Sequence, residues 1–334
     1  MALRRQDLLL DIADLCVVYK ENRGVLQAID RASLAVGHDE VVGITGESGC
    51  GKSTLAASIL RILPQNAEVT SGRILFRGID LRSLSEAEMR KIRWKQISII
   101  FQNAMNALDP VYKIKDLLKE ALCVHEGMPD HEIEGRIKEV LNMVRISQSR
   151  MDSYPHELSG GMRQRVMIAM ASICRPQLVI ADEFTTGLDV VVQDQILADM
   201  QDLRQKLGFA MILITHDLSV ILETCDRVAV MYGGSILETA DSESILQDPR
   251  HPYTRALLEC MPTIRDAKKK LKSLSGSPPD MLNPPKGCRF LARCTVATQL
   301  CQSDPPNLEV GHNRYSRCHY ALEQKQEKMR IGPG

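Results

Sequence analysis

Gly46-Glu47-Ser48-Gly49-Cys50-Gly51-Lys52-Ser53 lies between the apolar run Val41-Val42-Gly43-Ile44 and the stretch Leu55-Ala56-Ala57-Ser58-Ile59-Leu60. That order predicts a strand, a phosphate loop and a helix. Gly46, Gly49 and Gly51 let the backbone turn tightly and aim successive N–H groups inward. An anion is then held at a helix N-terminus, where the dipole also favours negative charge. Lys52 adds a full positive charge, and the Ser53 hydroxyl is placed to ligate Mg²⁺. The spacing GxxxxGK[ST] demands several matched positions between a strand and a helix, which a glycine-rich turn that binds nothing does not need.

Working outward, the chain has 334 residues, enough for two domains or for one large α/β domain with an appendage. Hydrophobic residues make up 44% of it, sufficient for a sizeable core. Lysine plus arginine (42) balances aspartate plus glutamate (42), so no global field points to a nucleic-acid wrapper or a membrane-coating protein. Any polyanion is bound locally. Arg4-Arg5 is followed by Asp7, Asp11 and Asp14, and Leu8-Leu9-Leu10 is too short for an h-region, so no signal peptide is expected. The longest apolar run, Val166 to Ala181, is broken by Arg175-Pro176. It falls short of the roughly 18 uninterrupted residues of a membrane span, and the chain alone is expected to be soluble.

Leu8 to Tyr19 approximates a strand, followed by a turn near Asn22-Arg23-Gly24 and a second strand around Val25 to Ala28. Beyond the phosphate loop, Gly72 to Gly78 reads as a short strand, and Ile97 to Phe101 as another that Gln102 ends. From Lys113 to about Ile146 the apolar residues take helical spacing. A helix after Ser159-Gly160-Gly161 ends by Arg175-Pro176, and Leu178-Val179-Ile180-Ala181 is a buried-type strand ending in Asp182-Glu183. A helix from about Val190 to Leu207 and a strand from Ala210 to Ile214 follow, with His216 just beyond. Strands alternating with helices predict an α/β fold with a mostly parallel sheet covered on both faces. Arg265 to Lys272 reads as a solvated helix face or linker.

A phosphate loop alone implies only a bound nucleoside triphosphate. Asp182 at a strand end can reach the Mg²⁺ shell, and Glu183 can polarise a water for in-line attack on the γ-phosphate. His216, at the end of the next strand, can contact the same phosphate. Such strand ends border the nucleotide crevice of α/β proteins.

With Leu158-Ser159-Gly160-Gly161-Met162 added to Gly46–Ser53, Gln102, Asp182-Glu183, Asp189 and His216, the chain resembles the nucleotide-binding subunits of ATP-binding-cassette transporters. The resemblance covers roughly residues 8 to 245. It implies a phosphate-loop cassette with an N-terminal antiparallel β subdomain, a helical subdomain of about 103–170, and ATP with Mg²⁺ as ligands. By the resemblance Gly46, Ser48, Gly49, Cys50, Gly51, Lys52, Ser53 and Thr54 hold the phosphates, and Tyr19 stacks on adenine. Ser53, Gln102 and Asp182 attend Mg²⁺. Glu183 is the general base, with Gln102, Lys52 and His216 beside the reaction. Ser159, Gly160, Gly161 and Met162 cap the γ-phosphate held by an opposing subunit, so a dimer is implied, and Asp189 is a further nucleotide-binding residue. Locally this is sound, because a serine hydroxyl and glycine N–H groups at a helix start form a second anion site.

One departure stands out. The resembled family follows the glutamate with proline, whereas this chain reads Phe184-Thr185-Thr186-Gly187-Leu188-Asp189. Losing proline and gaining glycine is expected to loosen the loop.

His251-Pro252-Tyr253-Thr254-Arg255-Ala256-Leu257 and the tail after it resemble the importers of oligopeptides, dipeptides and nickel, and the signature resembles the first of their two ATPase subunits. The division implied is a cassette at 1–250 and a C-terminal extension at 251–334. The implied partners are a second, non-identical ATPase, two transmembrane permease subunits and an extracytoplasmic solute-binding protein, with no nucleic acid. The implied location is the cytoplasmic face of the cell membrane. Since every catalytic element is present, the sequence alone does not exclude a homodimer.

Ten cysteines in an intracellular NTPase are not expected as disulfides. Cys16, Cys50, Cys123, Cys174, Cys225 and Cys260 are scattered in apolar or helical contexts where small buried thiols are ordinary. Cys288, Cys294, Cys301 and Cys318 are separated by five, six and sixteen residues in a proline- and arginine-rich segment. Four thiolates can close a tetrahedral zinc site or hold an iron–sulfur cluster, and this spacing matches neither a zinc ribbon nor a ferredoxin run. Zinc, a cluster and unligated thiols all remain open on the pattern; the resemblance favours a [4Fe–4S] cluster. A soluble cassette ATPase acting on nucleic acid or ribosomes, or a metal-sensing regulatory subunit, are the competing functions.

Overall fold

The computed structural model describes residues 8–102, 107–261 and 274–323. Arg4-Arg5 and the charged run Arg265 to Lys272 therefore lie outside the described residues. In chain order the first elements are β1 (Leu8–Glu21), β2 (Gly24–Gly37), β3 (Val41–Thr45), α1 (Lys52–Leu60), β4 (Ala67–Phe76) and β5 (Ile79–Asp80). Then come α2 (Glu86–Ile92), β6 (Ile97–Ile100), α3 (Ile114–His125), α4 (Asp130–Met143), α5 (Gly160–Ser172), β7 (Leu178–Asp182), α6 (Val190–Leu207) and β8 (Ala210–Ile214). The last are α7 (Leu218–Thr224), β9 (Arg227–Tyr232), β10 (Ser235–Asp241), α8 (Ser242–Gln247), α9 (Pro252–Glu259), β11 (Asn307–Gly311) and β12 (Arg314–Arg317). They fall into two units: Met1–Gly37 with Val41–Arg82 and Thr215–Gly334, and His38–Glu40 with Ser83–Ile214.

In the first unit β1 pairs antiparallel with β2 and β4, and β4 with β5. The antiparallel β subdomain expected from the sequence is thus present. Its second strand runs to Gly37 rather than stopping near Ala28. The pairing register slips between Ile12 and Val18, and Asp14 and Arg31 both sit at φ 48, a bulged geometry that breaks the alternation by which a strand is recognised. Elsewhere in this unit β3 pairs parallel with β9, β9 antiparallel with β10, β10 with β12, and β12 with β11. The C-terminal segment therefore adds two strands beside β10, with Glu238 opposite Ser316 and Thr239 opposite Tyr315.

In the second unit β6, β7 and β8 are parallel. Every residue of β7 and β8 is buried, which is why both read as unbroken apolar runs. The helical insertion is α3 and α4, which pack on each other and on α5. Ile114, Leu117, Leu118, Ala121 and Leu122 of α3 are buried, as are Ile133, Ile137, Val140 and Leu141 of α4, the faces that the helical spacing defines. Asp199 of α6 has a side chain only 1% exposed and pairs with Arg165 of α5 at 2.7 Å and Arg145 at 3.0 Å. Two guanidiniums offset the cost of burying that carboxylate and fix α5 on α6.

Among the described residues no helix is long and apolar enough to cross a membrane. None of the ten cysteines is in a disulfide. Cys16, Cys50, Cys174 and Cys225 are buried as expected, but Cys123 is exposed on α3, one step beyond the buried Ala121 and Leu122 and so turned off the apolar face.

Candidate functional site

The phosphate loop belongs to the first unit. Gly51 is the N-cap of α1 at φ 105, and a Cβ there would lie 2.6 Å from the Ala28 carbonyl oxygen. A Cβ on Gly46, at φ 150, would lie 2.0 Å from the Met231 carbonyl oxygen. Both positions exclude any side chain, which explains two glycines of the motif by close backbone approach. Lys52 is buried, and its Nζ donates to the carbonyl oxygens of Gly46 at 2.8 Å and Glu47 at 3.1 Å. The ammonium is thereby held inside the loop. Ser48, Gly49 and Ser53 are exposed, while burial pushes the Cys50 thiol up from its usual range against the pull of Lys52. Tyr19 on β1 shares a hydrogen bond of 3.2 Å with the Thr54 hydroxyl of α1, which sets the aromatic ring beside the loop. His216 is exposed just past β8, and Asp217 after it caps α7 through the N–H groups of Ser219 and Val220.

The carboxylates belong to the second unit. Asp182 ends β7 and is 4% exposed. Glu183 turns off the strand at φ 42, with its N–H donating to the Ile214 carbonyl at 2.8 Å. Its Oε2 accepts from Gln102 Nε2 at 2.7 Å. Register accounts for this contact: Ile100 of β6 lies opposite Ala181 of β7, so two further residues along each parallel strand bring Gln102 to Glu183. Phe184, which stands in place of the expected proline, is buried, and the Thr186 N–H donates to the Glu183 carbonyl at 3.1 Å. Packing of Phe184 thus opposes the loosening expected from Gly187, whose φ is 84.

Ser159 is the N-cap of α5, its hydroxyl accepting from the Met162 N–H at 3.3 Å. Asp189 is the N-cap of α6, its Oδ1 accepting from the Val192 N–H at 3.0 Å. A Cβ on Gly161 would lie 3.1 Å from Val192 Cγ1, so the first turns of these two helices touch. Asp189 therefore has a capping role here that its place in the motif does not announce.

Cys288, Cys294, Cys301 and Cys318 line one small apolar cavity with His251 and Leu291. Burial pushes the Cys288 and Cys318 thiols up to about 11, so both are neutral thiols at neutral pH. The donor set suits a soft metal, but the cavity of about 10 Å³ has room for roughly one water. Among the described residues no group of three or more His, Cys, Asp or Glu is arranged to hold a metal ion. The soft-metal chemistry fits and the cradle is not preformed.

Three residues make contacts at the phosphate loop that no motif announces. The Glu47 N–H donates to Tyr253 Oη at 3.1 Å, and the Glu47 carboxylate accepts from Arg293. Their partners lie more than 200 positions away, so no local spacing reveals them.

A glycine-lined loop with a buried lysine at a helix start, and an aspartate–glutamate pair at the end of a parallel strand, define an α/β phosphate-loop ATPase. The profile described as "ABC transporter" matches residues 29–186, and that described as "Oligopeptide/dipeptide transporter, C-terminal region" matches residues 237–301. The dipeptide transport ATP-binding protein DppD of Escherichia coli is 42% identical over 318 residues, covering 94% of this chain and 97% of that protein. The oligopeptide transport ATP-binding protein OppD of Bacillus subtilis is 43% identical over 312 residues, covering 92% and 87%. Among solved structures, a dimeric bacterial ABC transporter cassette matches 70% of this chain and 98% of its own with a TM-score of 0.62 and 26% identity. The cassette cbiO1 of Clostridium perfringens, part of the ABC transporter complex cbiONQ, matches 72% and 92% with a TM-score of 0.63 and 28% identity. The chain belongs to the ABC transporter ATP-binding family, in the branch that carries the oligopeptide/dipeptide transporter C-terminal region.

Proposed function

We propose that this ATPase energises a membrane importer of dipeptides, oligopeptides or a related small solute such as nickel. The observation that carries the reading is the joining of two features in one chain: a phosphate loop with side-chain-excluding glycines and a buried, carbonyl-held Lys52, and a segment at 237–301 that matches the oligopeptide/dipeptide transporter C-terminal region. The names of the relatives, dipeptide and oligopeptide transport ATP-binding proteins, support the class of solute.

In this reading Gly46, Ser48, Gly49, Cys50, Gly51, Lys52, Ser53 and Thr54 bind the phosphates, and Tyr19 stacks on the base. Ser53, Gln102 and Asp182 would hold Mg²⁺, whose oxygen preference their hydroxyl, amide and carboxylate groups meet; bound there it neutralises phosphate charge. Glu183 takes the proton of the attacking water, Gln102 orients Glu183 through their hydrogen bond, and His216 contacts the γ-phosphate. Ser159, Gly160, Gly161 and Met162 cap the γ-phosphate held by an opposing ATPase, so closure depends on that phosphate and ends with its loss, and Asp189 contributes to nucleotide binding. The partners are a second, non-identical ATPase, two permeases and an extracytoplasmic binding protein, at the cytoplasmic face of the membrane. Residues 1–250 form the cassette and 251–334 the extension.

Cys288, Cys294, Cys301 and Cys318 would hold a [4Fe–4S] cluster that staples an appendage with little core of its own. Their gathering round one cavity supports this, and loading requires the side chains to spread. Anaerobically purified chain is expected to absorb near 400 nm and to lose that band on Cys301→Ser; colourless, iron-free protein overturns the cluster alone. For the transport reading, a tagged chain is expected to co-purify with two hydrophobic permeases and a second ATPase. Recovery of the chain alone from solubilised membranes contradicts it.

A further inference from the structure

Arg293 is the most heavily engaged side chain near the phosphate loop, although it lies 246 positions from it. Its side chain is 4% exposed. Nη1 donates to Glu47 Oε2 at 2.6 Å and to Tyr232 Oη at 3.1 Å. Nη2 donates to Glu47 Oε1 at 2.8 Å and to the Leu274 carbonyl at 3.4 Å, and Nε to the Ser275 carbonyl at 2.9 Å. Five donors thus meet five acceptors, with a bidentate pair at the centre. The guanidinium carbon lies 5.6 Å from the centroid of the Tyr232 ring, and Phe290 packs edge-on against that ring. Such a site is built, since a flexible surface arginine would not satisfy every N–H.

Its partner is unusual for its position. Glu47 is the acidic residue of a loop whose task is to hold a polyanion. The Glu47 carbonyl accepts from Lys52 Nζ, and its N–H donates to Tyr253 Oη. An unpaired carboxylate on that residue would repel the triphosphate and compete for Lys52. We infer that Arg293 is a positioning residue for the nucleotide: it cancels the Glu47 charge and holds that carboxylate off the phosphate cradle. The C-terminal extension is thereby part of the ATP site.

The inference rests on ATP binding at Gly46–Ser53, and the test separates the two claims. ATP·Mg²⁺ dissociation constants are measured by titration calorimetry on the full chain and its variants. Arg293→Gln is expected to bind about tenfold more weakly, since Glu47 is then uncompensated. Arg293→Gln combined with Glu47→Gln is expected to recover to within about threefold of the parent, a rescue that a merely structural arginine does not give. Glu47→Gln alone, which keeps Arg293 in place and so reads the charge independently of folding of the arginine variant, binds about twofold or more tightly. Parent-like affinity of Arg293→Gln, absence of rescue in the double variant, or weakened binding by Glu47→Gln each overturns the inference while leaving the nucleotide site standing. Undiminished binding by Lys52→Ala overturns the nucleotide site, and the inference with it.

Discussion

The phosphate loop and the cysteine-bearing extension belong to the same unit, yet they are held by opposite means. The loop is written in adjacent letters: glycines at Gly46 and Gly51, whose missing Cβ atoms admit the Met231 and Ala28 carbonyls, and a lysine whose ammonium returns to carbonyls five and six positions back. The extension is held by charges drawn from across the chain. Arg289 pairs with Asp30 at 2.9 Å, Arg317 with Asp30 at 3.6 Å, Arg31 with Asp304 at 2.7 Å, and Arg293 with Glu47 at 2.6 Å. Backbone geometry needs adjacent letters and so forms a motif. Ion pairs across hundreds of residues need only one letter at each end.

If the contrast is right, damage to the loop removes ligand binding and damage to the ion pairs removes stability. The largest effect is expected from Lys52→Ala. A unit charge pair at about 4 Å and an effective dielectric near 20 is worth about 4 kcal/mol before desolvation, so ATP affinity should fall by about 100-fold or more in a direct binding titration. Retained affinity would place the anion elsewhere and break the comparison at its first term.

A smaller effect is expected from Asp30→Asn. Burial opposes ionisation of Asp30, but the Arg289 hydrogen bond and the charges of Arg289, Arg317 and Arg31 outweigh it and hold the carboxyl below its ordinary 3.8. Its folded value is the lower one, so its contribution is present above the unfolded value and fades as pH falls through the folded one. Loss of the charge should cost about 2 kcal/mol at pH 7, less than the roughly 3–5 of a fully buried pair, because Asp30 is not wholly buried and its partner Arg31 is largely solvated. Denaturant unfolding at pH 7 and at about pH 3 checks this: the gap between parent and variant should shrink in acid. A gap independent of pH would assign the loss to packing rather than charge.

The same division decides what was legible. The phosphate loop, the parallel strands and the helical insertion were readable, because period and spacing are local properties. Gln102 and Glu183 were readable singly, and their contact follows once Ile100 is registered against Ala181. The end of β2 was not, because the bulge at Arg31 interrupts its alternation. The joining of Glu47 to Tyr253 and Arg293 was not readable either, since nothing near Glu47 points to residues 206 and 246 positions away. The cysteines were half readable: their spacing marked them as a set, and only the fold gathers them round one cavity.

Glu183 carries the claim that this cassette spends ATP as well as binding it. Phosphate release and ATP binding should therefore be measured side by side on Glu183→Gln. The account predicts affinity within a few-fold of the parent and release slowed about 100-fold or more, the scale of a lost general base. Release at the parental rate would contradict it.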